Sequence, residues 1–272
     1  MEEYLKNNRE LWNEITLIHA RSAFYDVEGF KKGRCTLDSI ELEEVGDVSG
    51  KSLLHIQCHF GMDTLSWARL GAKVTGVDFS EDAIDLARSL SKEVGIEANF
   101  VCSSVYDLPG KLSGQFDIVY TSAGVLCWLP DLKKWAEVIS HFLRPGGFFY
   151  ILESHPFSHV FDDSKDVTEL KVKHSYFHSP EPTKWEAEGD YADPDAVVKN
   201  PSYEWTHSMG EIINSLIASR LQIEFLHEFP VLFHKWLPFM EEVMEEDDEG
   251  WWRIPGDKLP LIFTLKATKP ES

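Results

Sequence analysis

The pattern of apolar and polar residues changes near residue 50. Before it, apolar side chains recur at helical spacing, which predicts an amphipathic helix over Glu2–Ala20, and a glycine-punctuated stretch follows. From Lys51 onward, short apolar runs alternate with longer amphipathic stretches. Such alternation predicts a parallel sheet whose strands are joined by right-handed helical crossovers. Because the apolar runs are nearly continuous, we expect the sheet to be covered on both faces.

The predicted elements follow the order strand, helix, strand up to residue 155. The predicted strands are Ser52–Cys58, Ala72–Asp78, Ala98–Cys102, Phe116–Thr121 and Phe148–Leu152. The predicted helices are Asp63–Leu70, a segment capped by Ser80 that runs to Val94, and Asp131–Leu143. In the last part of the chain, the pattern predicts a helix over Gly210–Arg220 and strands over Leu221–Phe229 and Leu259–Lys266.

The regular pattern lapses between residues 156 and 205, where aromatic residues are dense. Lys171–Phe177 and Lys184–Tyr191 are predicted to pair as a hairpin around Ser179–Thr183. The aromatic residues either form the small core of this insert or make an apolar lid over a ligand. They are Tyr176, Phe177, Trp185, Tyr191 and Trp205.

The composition and the charge exclude several classes of protein. The chain has 272 residues, and 43% of them are hydrophobic, which is enough for a full core and excludes a disordered chain. Its net charge of -20 argues against a nucleic acid or an anionic membrane as the main partner. Seven carboxylates crowd into Glu241–Glu249, and such a run is typical of a solvated face or loop.

The cysteines and the N-terminus indicate a cytoplasmic protein. The four cysteines form no C-x-x-C pair and no cluster with zinc spacing, so we expect no metal site, and three of them lie in apolar or strand-like runs, where we expect reduced, buried thiols. The first ten residues are polar and acidic, unlike a secretory signal, and no run approaches the roughly 18 apolar residues of a membrane span. The sequence leaves open a monomer or a homodimer.

Candidate ligand-binding residues are those that follow the predicted strands, because ligands of open parallel sheets bind at the carboxyl ends of the strands. The segments at these ends are Gln57–Gly61, Asp78–Phe79, Ser103–Val105, Thr121–Gly124 and Glu153–His155. A carboxylate that ends the second strand, here Asp78, is placed to accept hydrogen bonds from two ribose hydroxyls.

Several segments together resemble the class I S-adenosylmethionine-dependent methyltransferases. They are LLHIQCHFGMDTLSWARLGA at 53–72, VTGVDFS at 74–80, FVCSSVYDLP at 100–109, FDIVYTSAGVLCWLPDL at 116–132 and LRPGGFF at 143–149. The last two together are the most specific, since Leu-x-Pro-Gly-Gly before a strand is not expected of nicotinamide enzymes. The resemblance covers about Lys51–Glu153, with a family-like tail at Gly210–Lys266.

This resemblance implies a fold and a division of the chain. The fold class is α/β, a Rossmann-like, doubly wound, mostly parallel seven-stranded sheet with an N-terminal helical segment and an insert after the fifth strand. We expect residues 1–50 to form an N-terminal helical cap and residues 51–155 plus 206–272 to form the methyltransferase core. Residues 156–205 would then cover the substrate.

The resemblance also implies a cofactor, S-adenosylmethionine, with S-adenosylhomocysteine as product and a small molecule as acceptor. Phe79 would lie against the adenine, Ser104 and Val105 would bond its edge, and the loop that begins at Thr121 would lie beneath the methionine part. The cofactor-binding residues predicted in this way are Tyr25, Gln57, Cys58, His59, Gly61, Asp78, Phe79, Ser104, Val105 and Thr121.

The chain departs from the family in the turn after the first strand. The family usually has three alternating glycines there, whereas this chain reads HIQCHFG and keeps only Gly61. Gln57 and His59 carry a Cβ atom where glycine allows positive φ, a conformation that His tolerates better than a β-branched residue. Either the site has lost its ligand, or Gln57 and His59 themselves contact it. We favour the second alternative, because the acid and the sheet pattern are intact.

Methyl transfer is an in-line displacement that needs a general base only when the nucleophile arrives protonated with a high pKa. Glu153 and His155 are the candidate bases, although His155 could instead be a hydrogen-bonded loop residue, and His207 is a candidate substrate contact. One rival function is that of an NAD(P)-dependent oxidoreductase, which the missing G-x-G-x-x-G disfavours. The other is a non-catalytic module that binds S-adenosylmethionine.

Overall fold

The computed structural model describes residues 1–186, 189–243, 250–256 and 258–271. The α-helices of these residues are α1 (Glu2–His19), α2 (Val27–Lys31), α3 (Ser39–Val45), α4 (Met62–Arg69), α5 (Glu81–Val94), α6 (Leu132–Phe142) and α7 (Met209–Ala218). The strands are β1 (Ser52–Ile56), β2 (Lys73–Asp78), β3 (Asn99–Cys102), β4 (Phe116–Thr121), β5 (Leu143–Ser154), β6 (Thr183–Trp185), β7 (Ser202–Glu204), β8 (Gln222–Phe229), β9 (Val231–Leu232), β10 (Glu241–Glu242), β11 (Trp252–Arg253) and β12 (Ile262–Thr268).

The centre of the molecule is a seven-stranded sheet in the order β3-β2-β1-β4-β5-β12-β8. The first five strands pair in parallel, and β12 runs antiparallel to both of its neighbours. The sequence prediction of a doubly wound, mostly parallel seven-stranded α/β sheet is therefore confirmed. The strand order reverses between β1 and β4, which places a crevice for ligand at the carboxyl ends of these two strands.

Alternate residues of the central strands enter two different cores. Leu54 and Val119 pack with α6 and α7 on one face, whereas Leu53 and Ile118 pack with α3 and Trp67 of α4 on the other. This alternation follows from the two-residue period of a strand. Each face buries apolar side chains, as the nearly continuous apolar runs of the sequence predict.

Local capping fixes where α5 begins relative to β2. The Ser80 hydroxyl accepts a hydrogen bond from the Ala83 amide at 3.1 Å, and Gly95 ends the helix with a φ of 68°. The predicted cap at Ser80 is confirmed. Because β2 ends two residues before this cap, the side chain of Asp78 is held at the rim of the sheet.

The hairpin that the sequence predicts in the insert is wrong. β6 pairs with β7, so that Thr183 lies opposite Glu204, and Lys171–Phe177 contributes only an isolated bridge between Val172 and Phe161. The connection between β6 and β7 spans 16 residues. Pairing over that distance depends on packing against α1, where Asn8 and the Tyr203 backbone exchange two hydrogen bonds. The local alternation of apolar and polar residues carries no information about this packing.

The segment between β8 and β12 forms a small sheet in the order β10-β11-β9, which the sequence did not predict. In the acidic run Glu241–Glu249, Glu241 and Glu242 are exposed in β10, and residues 244–249 lie outside the described residues.

All four cysteines are free, and their burial is uneven, because Cys58 is buried and Cys35 is exposed. Within the described ranges, no helix has the length and apolar character that crossing a bilayer requires.

Candidate active site

The turn between β1 and α4 keeps a glycine-like backbone although two of its glycines are replaced. The φ angles of Gln57, His59 and Gly61 are 60°, 50° and 81°, all in the left-handed region. At Gly61 a side chain has no room, because a Cβ atom there would lie 2.7 Å from the Phe100 ring. The two substitutions have therefore left the path of the turn intact, at the cost of placing two non-glycine residues in a conformation that L-residues disfavour.

The left-handed conformation of Gln57 predicts how substitutions at this position change the stability of the protein. We expect Gln57→Val to lower the free energy of unfolding by about 1 kcal/mol relative to Gln57→Gly, because β-branched residues resist the left-handed region. Both variants lose the hydrogen bond from Gln57 Nε2 to the Val125 carbonyl (3.1 Å), so the pair is matched. Urea unfolding measures the difference, and equal stabilities for the two variants would show that the turn is not strained.

Asp78 ties this turn to the end of β2. Its Oδ2 accepts the His59 amide at 2.8 Å and its Oδ1 accepts the Ser80 amide at 2.9 Å. The side chain is buried, and burial raises its pKa to about 6 although the amide hydrogen bonds act in the opposite direction. Each carboxylate oxygen retains a second lone pair. Asp78 can therefore accept two further hydrogen bonds, as from the two hydroxyls of a ribose.

A cavity of about 890 Å³ opens at the carboxyl ends of the strands, between the sheet, α1 and the insert. It collects most of the residues that the sequence predicts for the site. Those that line it are Tyr25, Gln57, Cys58, His59, Gly61, Asp78, Phe79, Ser104, Val105, Glu153 and His207. Gln57 and His59 line this cavity and do not fill it. Its volume lies in the range of cavities that bind cofactors and small molecules.

Two predicted site residues do not line this cavity. Thr121 is fully buried at the end of β4, and the loop that begins with Ser122 lines the cavity in its place. His155 is buried, its Nε2 lies 2.9 Å from Glu228 Oε1, and its Nδ1 accepts the Phe157 amide at 3.1 Å. Because both ring nitrogens are occupied, the geometry does not support His155 as a general base.

Glu153 lines the cavity, but its four lone-pair positions are already used. Its Oε1 accepts the amides of Gly124 and Ser154, both at 2.7 Å, and its Oε2 accepts those of Val125 and Leu126, at 2.8 and 3.1 Å. Burial nevertheless raises the pKa of this carboxyl. Glu153 thus holds the loop after β4 in place, and it has no free lone pair for a substrate proton.

His207 and Ser104 line the cavity with part of their bonding capacity occupied. The Nε2 of His207 lies 2.6 Å from the Leu129 carbonyl, and burial lowers its pKa to about 4, so this imidazole is neutral near pH 7. The Ser104 hydroxyl accepts the Tyr106 amide at 3.3 Å and keeps its own proton for a ligand. Of the five aromatic residues that the sequence analysis named in the insert, four line the cavity; the fifth, Tyr176, does not, and its hydroxyl accepts the Met209 amide.

A chain of hydrogen bonds, the Asp190–His19–His59 bridge, joins the insert to α1 and to the turn. His19 is fully buried, with its Nε2 3.0 Å from Asp190 Oδ1 and its Nδ1 2.9 Å from His59 Nε2. In the tautomer that satisfies both contacts, His19 Nε2 donates a hydrogen bond to the Asp190 carboxylate, and His19 Nδ1 accepts a hydrogen bond from His59 Nε2. Beside this bridge, the hydroxyls of Tyr25 and Tyr191 share a short hydrogen bond.

Sequence reasoning missed His19 and Asp190. The 171 residues between them leave no local signal for their contact. His19 follows Trp12 and Ile15 on one face of α1, and an imidazole on an otherwise apolar helix face could have drawn attention to it. The described residues hold no group of three or more His, Cys, Asp or Glu side chains arranged for a metal ion.

The strand order, the turn and the acid at the end of β2 are those of a Rossmann-like sheet with a ligand crevice at its carboxyl edge, and they resemble the class I S-adenosylmethionine-dependent methyltransferases. Residues 54–151 match the family model described as "Methyltransferase domain". The resemblance drawn from the sequence is therefore confirmed for this part of the chain.

Curated relatives and solved structures agree with this class. The chain is 32% identical over 151 residues to a ubiquinone biosynthesis O-methyltransferase of Escherichia coli. The aligned segment covers 54% of this chain and 62% of the relative. A protein of the same name from Xanthomonas euvesicatoria is 31% identical over 131 residues, 47% of this chain and 54% of the relative. The chain thus spans little more than half the length of these relatives.

Two solved structures show the extent of the shared fold. An S-adenosylmethionine-dependent methyltransferase from Mesorhizobium loti superposes with a TM-score of 0.57 at 19% identity, over 88% of this chain and 99% of the other. One from Methanosarcina mazei gives a TM-score of 0.55 at 18% identity, over 87% and 100% of the two chains. The likeness extends beyond the matched domain to most of the chain, and at this identity it concerns the fold.

Proposed function

We propose that the protein transfers a methyl group from S-adenosylmethionine to a small-molecule acceptor. The observation that carries this proposal is the carboxylate of Asp78, which is buried at the end of β2, faces a large cavity and lies next to a turn with glycine-like geometry. The match of residues 54–151 to a methyltransferase domain supports the same conclusion.

The residues present fit this cofactor. Asp78 offers two lone pairs to a ribose, Phe79 lies at the cavity wall beside it, and Gln57 Oε1 is buried without a hydrogen-bond partner among the described residues. A buried acceptor of that kind favours a ligand with an N–H or O–H donor. Asp78, Phe79, Ser104 and Val105 would hold the nucleoside part, while Tyr25, Gln57 and His59 would contact the remainder.

The cofactor supplies an activated methyl group when bound. The protein then has to orient the acceptor and exclude water, and orientation can supply up to roughly 7–11 kcal/mol. Residues of the loop held by Glu153 and residues of the insert both line the cavity, which supports a role for the insert in enclosing the acceptor. With Glu153 and His155 fully hydrogen-bonded, we propose that neither transfers a proton and that orientation carries the reaction.

Calorimetry with S-adenosylhomocysteine, NAD and NADP tests the proposal. We expect heat from S-adenosylhomocysteine and none from the nicotinamide cofactors. The absence of heat with S-adenosylhomocysteine would refute the proposed function. Binding of NAD would favour an oxidoreductase, and binding of S-adenosylmethionine without transfer of labelled methyl to any of a broad set of acceptors would favour a non-catalytic module.

The pKa of Asp78 sets an expected pH dependence. The ionised carboxylate accepts hydrogen bonds from ribose hydroxyls, and its folded-state pKa is raised to about 6. Affinity for S-adenosylhomocysteine should therefore rise between pH of about 5 and about 7 and then level off. Calorimetry across this range measures the slope. Asp78→Asn removes the titrating group, so a slope that is the same in this variant would assign the effect to another residue, such as Asp63, which also lines the cavity and whose pKa burial raises to about 6.

A further inference from the structure

The part of the cavity that faces the insert is lined by other residues than the part that faces β1 and β2. We call it the acceptor half, and it is defined by residues of the insert, of the segment after β7 and of the segment after β9. These lining residues are Pro156, His159, Phe161, Asp163, His174, Ser175, Phe177, Ser179, Glu181, Thr183, Trp185, Tyr191, Glu204, Trp205, Thr206, His207, Phe233, His234 and Trp236.

The walls of the acceptor half are aromatic. Its aromatic members are Phe161, Phe177, Trp185, Tyr191, Trp205, Phe233 and Trp236. Rings at this density bind planar apolar bodies, which they can contact by stacking or edge to face. Trp205 and Phe161 are themselves buried, so part of this wall is held rigidly by the surrounding insert.

The acceptor half carries carboxylates and no described lysine or arginine. Its acids are Asp163, Glu181 and Glu204. Arg34 is the single Lys or Arg among all the described residues that line the cavity, and it lies beside α2, where it bonds the Tyr25 carbonyl and pairs with Asp26. Glu204 accepts a hydrogen bond from Ser202 and forms no ion pair with any described residue.

Three of the four imidazoles of the acceptor half do not supply the missing positive charge. Burial lowers the pKa of His159, His207 and His234 to about 4 each, so these three rings are neutral near pH 7. A neutral imidazole nitrogen accepts a hydrogen bond. His234 Nδ1 is buried without a hydrogen-bond partner within the described ranges, and it accepts a hydrogen bond from a hydroxyl or amine of a ligand when the ring proton is on Nε2.

A carboxylate or phosphate group that binds in this half would lose its hydration without gaining a positively charged partner. It would also be repelled by the carboxylates there, and burying an unpaired ion in this way is strongly unfavourable. Resting on the proposed function, we infer that the methyl acceptor is an aromatic compound without negative charge, whose polar group is a hydroxyl or an amine. The acceptor half selects against aromatic carboxylates and phosphate esters.

Three probes that share a phenol ring and differ in charge test this inference. They are 4-hydroxyphenylacetamide, its isosteric carboxylate 4-hydroxyphenylacetate, and tyramine, which is a cation. Titration of each into protein saturated with S-adenosylhomocysteine should show the amide and the amine binding at least about tenfold more tightly than the carboxylate. Equal or tighter binding of the carboxylate overturns the inference, and so does the failure of all three to bind.

A matched pair of variants locates the selection. We expect Glu204→Gln to weaken tyramine about fivefold while leaving the amide unchanged, because only the cation gains from the carboxylate. Glu186→Gln is the control, since Glu186 is exposed, bonds Lys184 and does not line the cavity. Equal effects of the two variants would remove Glu204 from this selection.

The same titrations separate this inference from the proposed function. The relative affinities of the three probes are measured by binding alone and need no methyl transfer. The same titrations are repeated on protein without S-adenosylhomocysteine. Loss of S-adenosylhomocysteine binding with the order retained would refute the cofactor and keep the acceptor class. The opposite result, tight S-adenosylhomocysteine with the carboxylate preferred, would keep the cofactor and refute the acceptor class.

Discussion

Asp78→Ala is expected to weaken the binding of S-adenosylhomocysteine by more than about tenfold, because each hydrogen bond to a charged group contributes about 1.5–3 kcal/mol. The substitution removes the proposed ribose contacts. It also frees the His59 and Ser80 amides that the carboxylate now accepts, which loosens the turn. Isothermal titration calorimetry measures the affinity.

Asp78→Asn is the matched control, since it keeps the size of the side chain and one oxygen acceptor but loses the charge. We expect an affinity between those of the parent and Asp78→Ala. Thermal unfolding without ligand separates a lost contact from a loosened fold. If Asp78→Ala binds as tightly as the parent, Asp78 is not part of the site and the proposed placement of the cofactor fails.

Glu153→Ala is expected to lower the free energy of unfolding by about 3 kcal/mol, because it leaves four amides without their acceptor. Three of these amides, at Gly124, Val125 and Leu126, belong to the loop after β4. Glu228→Gln on β8, two strands away in the same sheet, is the control, and it should change stability by less than about 1 kcal/mol, since that carboxylate is half exposed. Chemical denaturation of both variants measures these values.

A second variant distinguishes this structural role from proton transfer. Glu153→Gln keeps one acceptor oxygen, so its stability should fall between that of the parent and that of Glu153→Ala. If Glu153→Gln proves as stable as the parent but has lost turnover, Glu153 acts as a base and the assigned role is wrong.

The repetitive part of the fold follows from local signals in the sequence. Runs such as Ser52–Ile56 and Lys73–Asp78 are apolar because both faces of a parallel sheet are buried, and Ser80 marks the start of a helix through its own side chain. The position of Asp78 follows from the same signals. That position is determined by where β2 ends and where α5 begins, and both boundaries have local signals.

The chemistry of the candidate bases could not be predicted in this way. Whether a carboxylate or an imidazole is free depends on partners that are distant in the chain. Glu153 is occupied by amides 27 to 29 residues away, and His155 is occupied by Glu228, 73 residues away. The pairing of β6 with β7 depends equally on α1. None of these contacts has a periodic signature, because each arises from tertiary packing.

The Asp190–His19–His59 bridge connects three stretches of chain through one imidazole. Detaching Asp190 from His19 would leave a buried ring short of an acceptor and would also release the support of the turn beside the proposed ribose site. The insert and the turn should therefore loosen as one cooperative unit, visible as matched rates of amide hydrogen exchange. On the proposed function, the segments on both sides of the cofactor would then open together.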